Sequence, residues 1–297
     1  MNINPYPNGW YDALHRQLAD LHHHFPDAHI YALIDGVLNE SCYPLLKQSG
    51  RLPYEALYAN APAADEETLC VSPLVVEYVA AEQNTWNALL RKTNGLPACS
   101  LIVSPESLAQ LATRLAPWCV VDAAGQTLAL SFADTRILPE LCKTLTARQL
   151  SAFVGPALRW QYVTRNAEWR TLPLPETALP PADTVGLDEQ QCAQLIAASE
   201  VDGVLYQLRK NSDSLVDCHS PARAHEIVCH WLACADHAQI DAGPERVRLC
   251  ELGFMHPALE HDPRIAAWLA MPSQAQTFEA CQAQWTGGSP SSLFGIE

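Results

Sequence analysis

Six residues, His29-Ile30-Tyr31-Ala32-Leu33-Ile34, form a nearly unbroken apolar run that stops at Asp35-Gly36. A strand with one wet face alternates apolar and polar side chains, so a run this continuous reads as a strand buried on both faces. Such a strand needs a layer on either side, which points to a layered α/β structure. Asp35-Gly36 then admits two readings. It makes a turn, because glycine accepts positive φ, or it sets Asp35 at the carboxyl end of a buried strand, where α/β sheets present functional side chains.

A second stretch follows the same logic. Thr127-Leu128-Ala129-Leu130-Ser131-Phe132 reads as a strand with Leu130 and Phe132 on one face. Leu138, Leu141, Cys142 and Leu145 then recur three and four apart, as on a helix. Asp134 and Arg136 fall where the strand stops, and Thr135 is placed to cap the helix. A carboxylate and a guanidinium at such a junction either tie the turn together or form a catalytic pair.

Other elements assemble around these two. Trp10, Leu14, Leu18 and Leu21 predict an amphipathic first helix that runs out at His22-His23-His24. Consecutive histidines point in different directions on a helix, whereas metal ligands must converge. A helix over Leu38–Gly50, a loop over Ala59–Thr68, and strands at Leu69–Val71 and Leu74–Val79 follow. Next come a helix through Trp86, Leu89 and Leu90, and an apolar strand at Cys99–Val103. Ser104-Pro105 looks like a helix start, with Leu108, Leu111, Ala112 and Leu115 as the buried stripe. Cys119–Val121 and Leu128–Phe132 read as a hairpin around Gly125. Thr146 and Gln149 make a capping box, and Ala157–Val163 with Trp169–Leu174 reads as an edge hairpin.

These elements predict a mixed α/β N-terminal lobe over residues 1–172. Leu172–Gly186, LPLPETALPPADTVG, is rich in proline and reads as a linker over 173–186. Beyond it the strand signal fades. Capping signals at Asp188/Gln191, Ser220-Pro221, Pro244, Asp262-Pro263 and Ser273/Gln276 predict a smaller all-α lobe over 187–285. A Gly/Ser-rich tail, 286–297, either hangs free or docks.

Charge narrows the choice of partner. The formal net charge is −15 at pH 7, concentrated after residue 172, where 6 Lys+Arg face 17 Asp+Glu. Such a surface repels nucleic acid and anionic lipid and suits a basic protein partner, or simply keeps the chain in solution. No apolar stretch reaches the ~18 residues of a membrane span. The N-terminus lacks the basic and apolar regions of a secretory signal, so a cytoplasmic protein is expected. Eleven scattered cysteines without a CxxC pair then read as small buried hydrophobes.

Catalytic signatures are sparse. The sequence has no GxSxG, GxxxxGKS/T or GxGxxG. His225-Glu226-Ile227-Val228-Cys229-His230 departs from HExxH because its second histidine comes one residue late, on another helix face. His230, Cys234 and His237 share one helical stripe and have the chemistry of zinc ligands. Asp35 and Asp134, both at strand ends, are the other candidates for a hydrolytic site.

Four segments together resemble a known family. YALIDG (31–36), SPLV (72–75), LIVSPESLAQLATRL (101–115) and SFADTRILPEL (131–141) are similar to the Tap-like adaptors, or effector chaperones, of the type VI secretion system, which carry a domain of unknown function. The likeness spans roughly residues 29–172, and its most specific part is Phe–x–Asp–x–Arg–x–Leu. Ser131 stands where such proteins commonly have arginine, and Thr135 where they commonly have proline. The resemblance implies a non-catalytic protein, without cofactor or bound metal, that binds one cognate effector and loads it onto the VgrG spike. The binding positions it implies are Asp35, Gly36, Phe132, Asp134 and Arg136. The alternative is a metal-dependent hydrolase using His230/Cys234/His237 or Asp35/Asp134.

Overall fold

The computed structural model describes residues 2–175, 185–263 and 265. They divide into two units, one ending at Ser199 and the other beginning at Glu200. The first unit runs α1 (Trp10–His24), β1 (His29–Ile34), α2 (Cys42–Ser49), β2 (Tyr54–Ala56), α3 (Glu66–Cys70), β3 (Leu74–Glu77), α4 (Gln83–Lys92), β4 (Cys99–Ser104) and α5 (Leu108–Leu115). A hairpin, β5 (Val120–Ala123) and β6 (Gln126–Ala129), leads into α6 (Leu138–Thr144) and α7 (Ala147–Val154). A second hairpin, β7 (Arg159–Val163) and β8 (Trp169–Thr171), precedes β9 (Gly186–Leu187).

The fold is mixed α/β, with the sheets in the N-terminal part and helices in the C-terminal part. Six strands make the central sheet in the order β2-β3-β1-β4-β7-β8. Every pairing in it is antiparallel. β1 sits inside the sheet between β3 and β4, and all its residues but His29 are buried. One face, with Ile30, Ala32 and Ile34, packs against Leu14 and Leu18 of α1, Leu46 of α2 and Trp86 of α4. The other, with Tyr31 and Leu33, packs against Leu111 of α5, Leu138 and Leu141 of α6 and Phe153 of α7. The unbroken apolar run in β1 is thus the signature of a sheet covered twice, here without parallel strands.

Local capping explains several element boundaries. The Thr146/Gln149 box forms at α7, with both reciprocal bonds present. α5 begins at Leu108 and not after Ser104-Pro105, because Ser107 and Gln110 make its capping box. Ser104 instead ends β4 and donates its hydroxyl to Glu106 Oε2 at 2.9 Å. Leu69–Val71, read as a strand, is the end of α3, whose start is set by Asp65 accepting from Thr68 N–H at 2.8 Å. Both corrections have one cause: a side-chain cap satisfies N–H groups that a helix start leaves orphaned, and outweighs a short apolar run.

The strand expected to reach Phe132 stops at Ala129. All four residues of β6 are exposed, and the chain then turns inward, Phe132 N–H donating to Leu130 O at 2.9 Å. Thr135 does not cap α6. That helix begins at Leu138, and the N–H groups of Ile137 and Leu138 both bond to the main-chain carbonyl of Asp134.

β9 pairs parallel with β5, making a three-stranded sheet with β6. Leu187, Cys192 and Leu195 accordingly join the first unit's core. The division lies inside α8 (Glu189–Asn211), whereas the helical lobe was expected over 187–285, directly after the 173–186 linker. The Asp188/Gln191 capping bonds form there at 2.8 and 3.0 Å. Most of the expected linker, the helices expected after Asp262 and the 286–297 tail lie outside the described residues.

The second unit takes in the end of α8, then α9 (Asp213–Asp217), α10 (Pro221–His237) and α11 (Gly243–Met255). Ser220 caps α10, whose Ile227, Val228, Trp231, Leu232 and Ala235 face inward as their spacing predicts. Arg246 reaches through this unit. Its guanidinium binds Glu200 at 2.7 and 2.9 Å, Asp236 at 2.7 Å and the Ile240 carbonyl at 3.0 Å. Gly253 lies so close to Trp231 that a Cβ there would fall 1.9 Å from the indole nitrogen.

Candidate functional site

Three segments meet at the carboxyl end of β1. Because β1 is antiparallel to β3 and β4, its end lies beside the beginnings of both: Ile34 is opposite Leu74 and Cys99. Asp35 N–H donates to Ala98 O at 3.0 Å, and Thr135 N–H donates to Pro97 O at 2.8 Å. Two successive carbonyls ahead of β4 therefore hold Asp35 and the loop after β6 side by side.

Asp35 and Asp134 are both buried. Asp35 Oδ1 accepts from Val37 N–H at 2.9 Å, which closes the turn after β1. Asp134 does the same for Arg136 N–H at 2.9 Å. Its carboxylate is also gripped by its neighbour's guanidinium, with Arg136 Nε at 3.0 Å from Oδ1 and Nη2 at 2.5 Å from Oδ2. A forked pair of this kind is the strong form of a charged hydrogen bond. It also consumes both oxygens of Asp134.

Among the described residues Asp35 has no such partner, and its proton affinity reflects that. Burial, and then the charge of Asp134, push its pKa up from 3.8 to about 6, while the N–H groups of Val37 and Leu38 and the charge of Arg136 pull the other way. Nearby thiols are also pushed up by burial, Cys42 and Cys119 each to about 12, which favours the protonated thiol at neutral pH.

Gly36 is required for a different reason from the one the sequence suggests. It does not take positive φ. A Cβ there would fall 2.3 Å from Ser72 O and 2.7 Å from Cys70 O, so the chain after β1 rides directly on the backbone before β3. Ser72 is itself buried, accepting from Tyr58 N–H at 3.0 Å and donating to Pro73 O at 2.9 Å. Phe132 is fully buried against Phe153, ring centroids 5.4 Å apart, and anchors the loop instead of facing a partner. Of the five motif positions, Asp35, Gly36, Asp134 and Arg136 share this rim, and Phe132 lies beneath it. The Thr135 hydroxyl is buried there without a hydrogen-bond partner among the described residues.

The other candidates do not assemble. His230 and Cys234 are neighbours on α10, Nε2 to Sγ 3.7 Å. Among the described residues no three side chains of His, Cys, Asp or Glu are placed to hold a metal ion together. His22, His23 and His24 are exposed at the end of α1.

The opposite end of β1 holds a network that sequence reasoning missed. Arg114 forks onto Glu106 at 2.8 and 2.7 Å and also donates to Phe153 O, while Tyr31 OH donates to Glu106 O at 2.6 Å. Gly155, at φ +55°, leaves the space that the Arg114 side chain fills. Both charges stand in the LIVSPESLAQLATRL segment, but at a spacing that no short-range rule pairs.

The whole β1 rim falls inside one family match. Residues 30–152 match the model of DUF4123, a domain of unknown function. DUF4123 is a family linked to type VI secretion effector adaptors. The matched segment runs from β1 through most of α7 and so contains Asp35, Gly36, Ser72, Glu106, Arg114, Asp134 and Arg136. No curated protein and no solved structure matches the chain. Among the described residues, no helix is long and apolar enough to cross a membrane.

Proposed function

We propose that this chain is a non-catalytic, cytoplasmic adaptor that binds one type VI secretion effector and promotes its loading onto the VgrG spike. The observation that carries this reading is the match of residues 30–152 to DUF4123. The rim chemistry supports it. Asp134 is committed to Arg136 and to the turn, Asp35 to the turn after β1, and Gly36 to backbone contact, so these positions shape a loop surface. In this reading the family-matched unit supplies the surface common to such adaptors, and the acidic residues after 172 tune the choice of cargo.

A hydrolytic reading has one observation in its favour: a buried carboxyl held at about 6 beside a second carboxylate resembles an acid–base pair. The saturation of Asp134 by Arg136 counts against it, because no oxygen of that carboxylate is left to meet substrate.

The deciding experiment is capture of the intact tagged protein from its own cells, with and without its gene-encoded partners. Recovery of a toxin-bearing protein that loses its association with VgrG when this chain is deleted supports the adaptor. An effector that still reaches VgrG in the deletion strain overturns it.

A further inference from the structure

The described residues hold a hollow of about 470 Å³ between α1 and the start of β7, well away from the β1 rim. That volume lies within the ~300–1,000 Å³ typical of ligand sites. Leu21 and Phe25 line it with apolar surface, and Arg16, His24 and Arg159 stand around it, with Asp20 the carboxylate among the lining residues. Arg159 lies 5.9 Å from the Phe25 ring centroid, a cation–π distance that holds it over the apolar surface. Arg16 makes one long bond, 3.4 Å, to the Asp12 carbonyl.

Neither arginine has a carboxylate partner among the described residues, although the chain carries 33 acidic residues against 18 basic ones. Two guanidiniums against the one carboxylate of Asp20, around an apolar-lined hollow, make a positive site on a negative molecule. We infer that the hollow receives a protein segment in which acidic side chains flank an apolar one. The apolar side chain meets Leu21 and Phe25, and the carboxylates meet Arg16 and Arg159, whose planar forks suit them. Charge complementarity selects this occupant over the basic partner that the net charge alone suggests. The inference stands apart from the adaptor reading, since it names the chemistry of a bound segment and not its source.

The test uses the full chain and a fluorescein-labelled, end-capped peptide of repeating Asp-Leu-Glu units, with a Lys-Leu-Lys peptide as control, read by anisotropy at low salt. The acidic peptide should bind, and Arg16→Glu/Arg159→Glu should weaken it about tenfold, as expected for two partly exposed charge pairs. Arg148→Glu/Arg170→Glu, which makes the same change in net charge at exposed arginines outside the hollow, should have little effect. Circular dichroism checks that both variants fold. Three results overturn the inference: tighter binding of the basic peptide, equal losses in the two double variants, or full displacement of the peptide by millimolar acetate or phosphate, which makes the hollow a small-anion site.

Discussion

Replacing Asp35 by Asn tests the electrostatics of the β1 rim most directly. Its pKa rises from 3.8 to about 6 on folding, because burial and Asp134 both oppose its charge. The sign follows from which state holds the proton. Between these two pH values the folded protein binds more protons at Asp35 than the unfolded chain does, so stability falls as pH rises through the window. A shift of about two units corresponds to about 2–3 kcal/mol, present below pH ~4 and lost above pH ~6. Asparagine keeps the oxygen that accepts from Val37 N–H and has no charge to bury. Urea unfolding of both proteins, followed by tryptophan fluorescence in steps from pH 4 to 7.5, isolates the effect as a difference. The stability of Asp35→Asn relative to the parent should climb by about 2–3 kcal/mol across that range. A difference that stays flat, or falls with pH, refutes the assignment, whatever the offset at low pH.

Three further substitutions probe the packing. Arg136→Ala strips Asp134 of its fork while leaving that carboxylate buried, and should cost about 3–5 kcal/mol in urea unfolding, whereas Asp134→Asn/Arg136→Met should recover part of it. Gly36→Ala drives a methyl into the Ser72 and Cys70 carbonyls, which are backbone and cannot swing aside; a loss of about 3 kcal/mol or more, or failure to accumulate folded protein, is expected. Gly253→Ala forces the buried Trp231 indole to move, and should lower the melting temperature of the second unit and shift tryptophan emission to the red; unchanged emission would contradict the close approach.

Much of the candidate site could be read in the sequence, but for partly wrong reasons. Asp35 and Gly36 stand out because an apolar strand ends there, and Asp134 and Arg136 because a carboxylate and a guanidinium two residues apart close a turn. The role of Gly36 was hidden, since its constraint is the backbone of Cys70 and Ser72, brought up by the segment that joins α3 to β3. Phe132 looked like part of the motif's surface, yet its side chain completes the core beneath the loop. Glu106 and Arg114 escaped notice because their pairing depends on α5 folding back over a bend.

What the sequence by itself determined is what neighbouring residues decide among themselves. The stripe of α1, the inward face of α10, the unbroken strand β1 and the caps at Thr146, Asp188 and Ser220 all act within one or two turns of chain. Tertiary structure alone decided the antiparallel order β2-β3-β1-β4-β7-β8, the recruitment of Leu187 and Cys192 to the first core, and the division between Ser199 and Glu200. It also decided the proton affinity of Asp35. Strand pairing, burial and Coulomb interaction act through space, and no local pattern records which distant segment arrives.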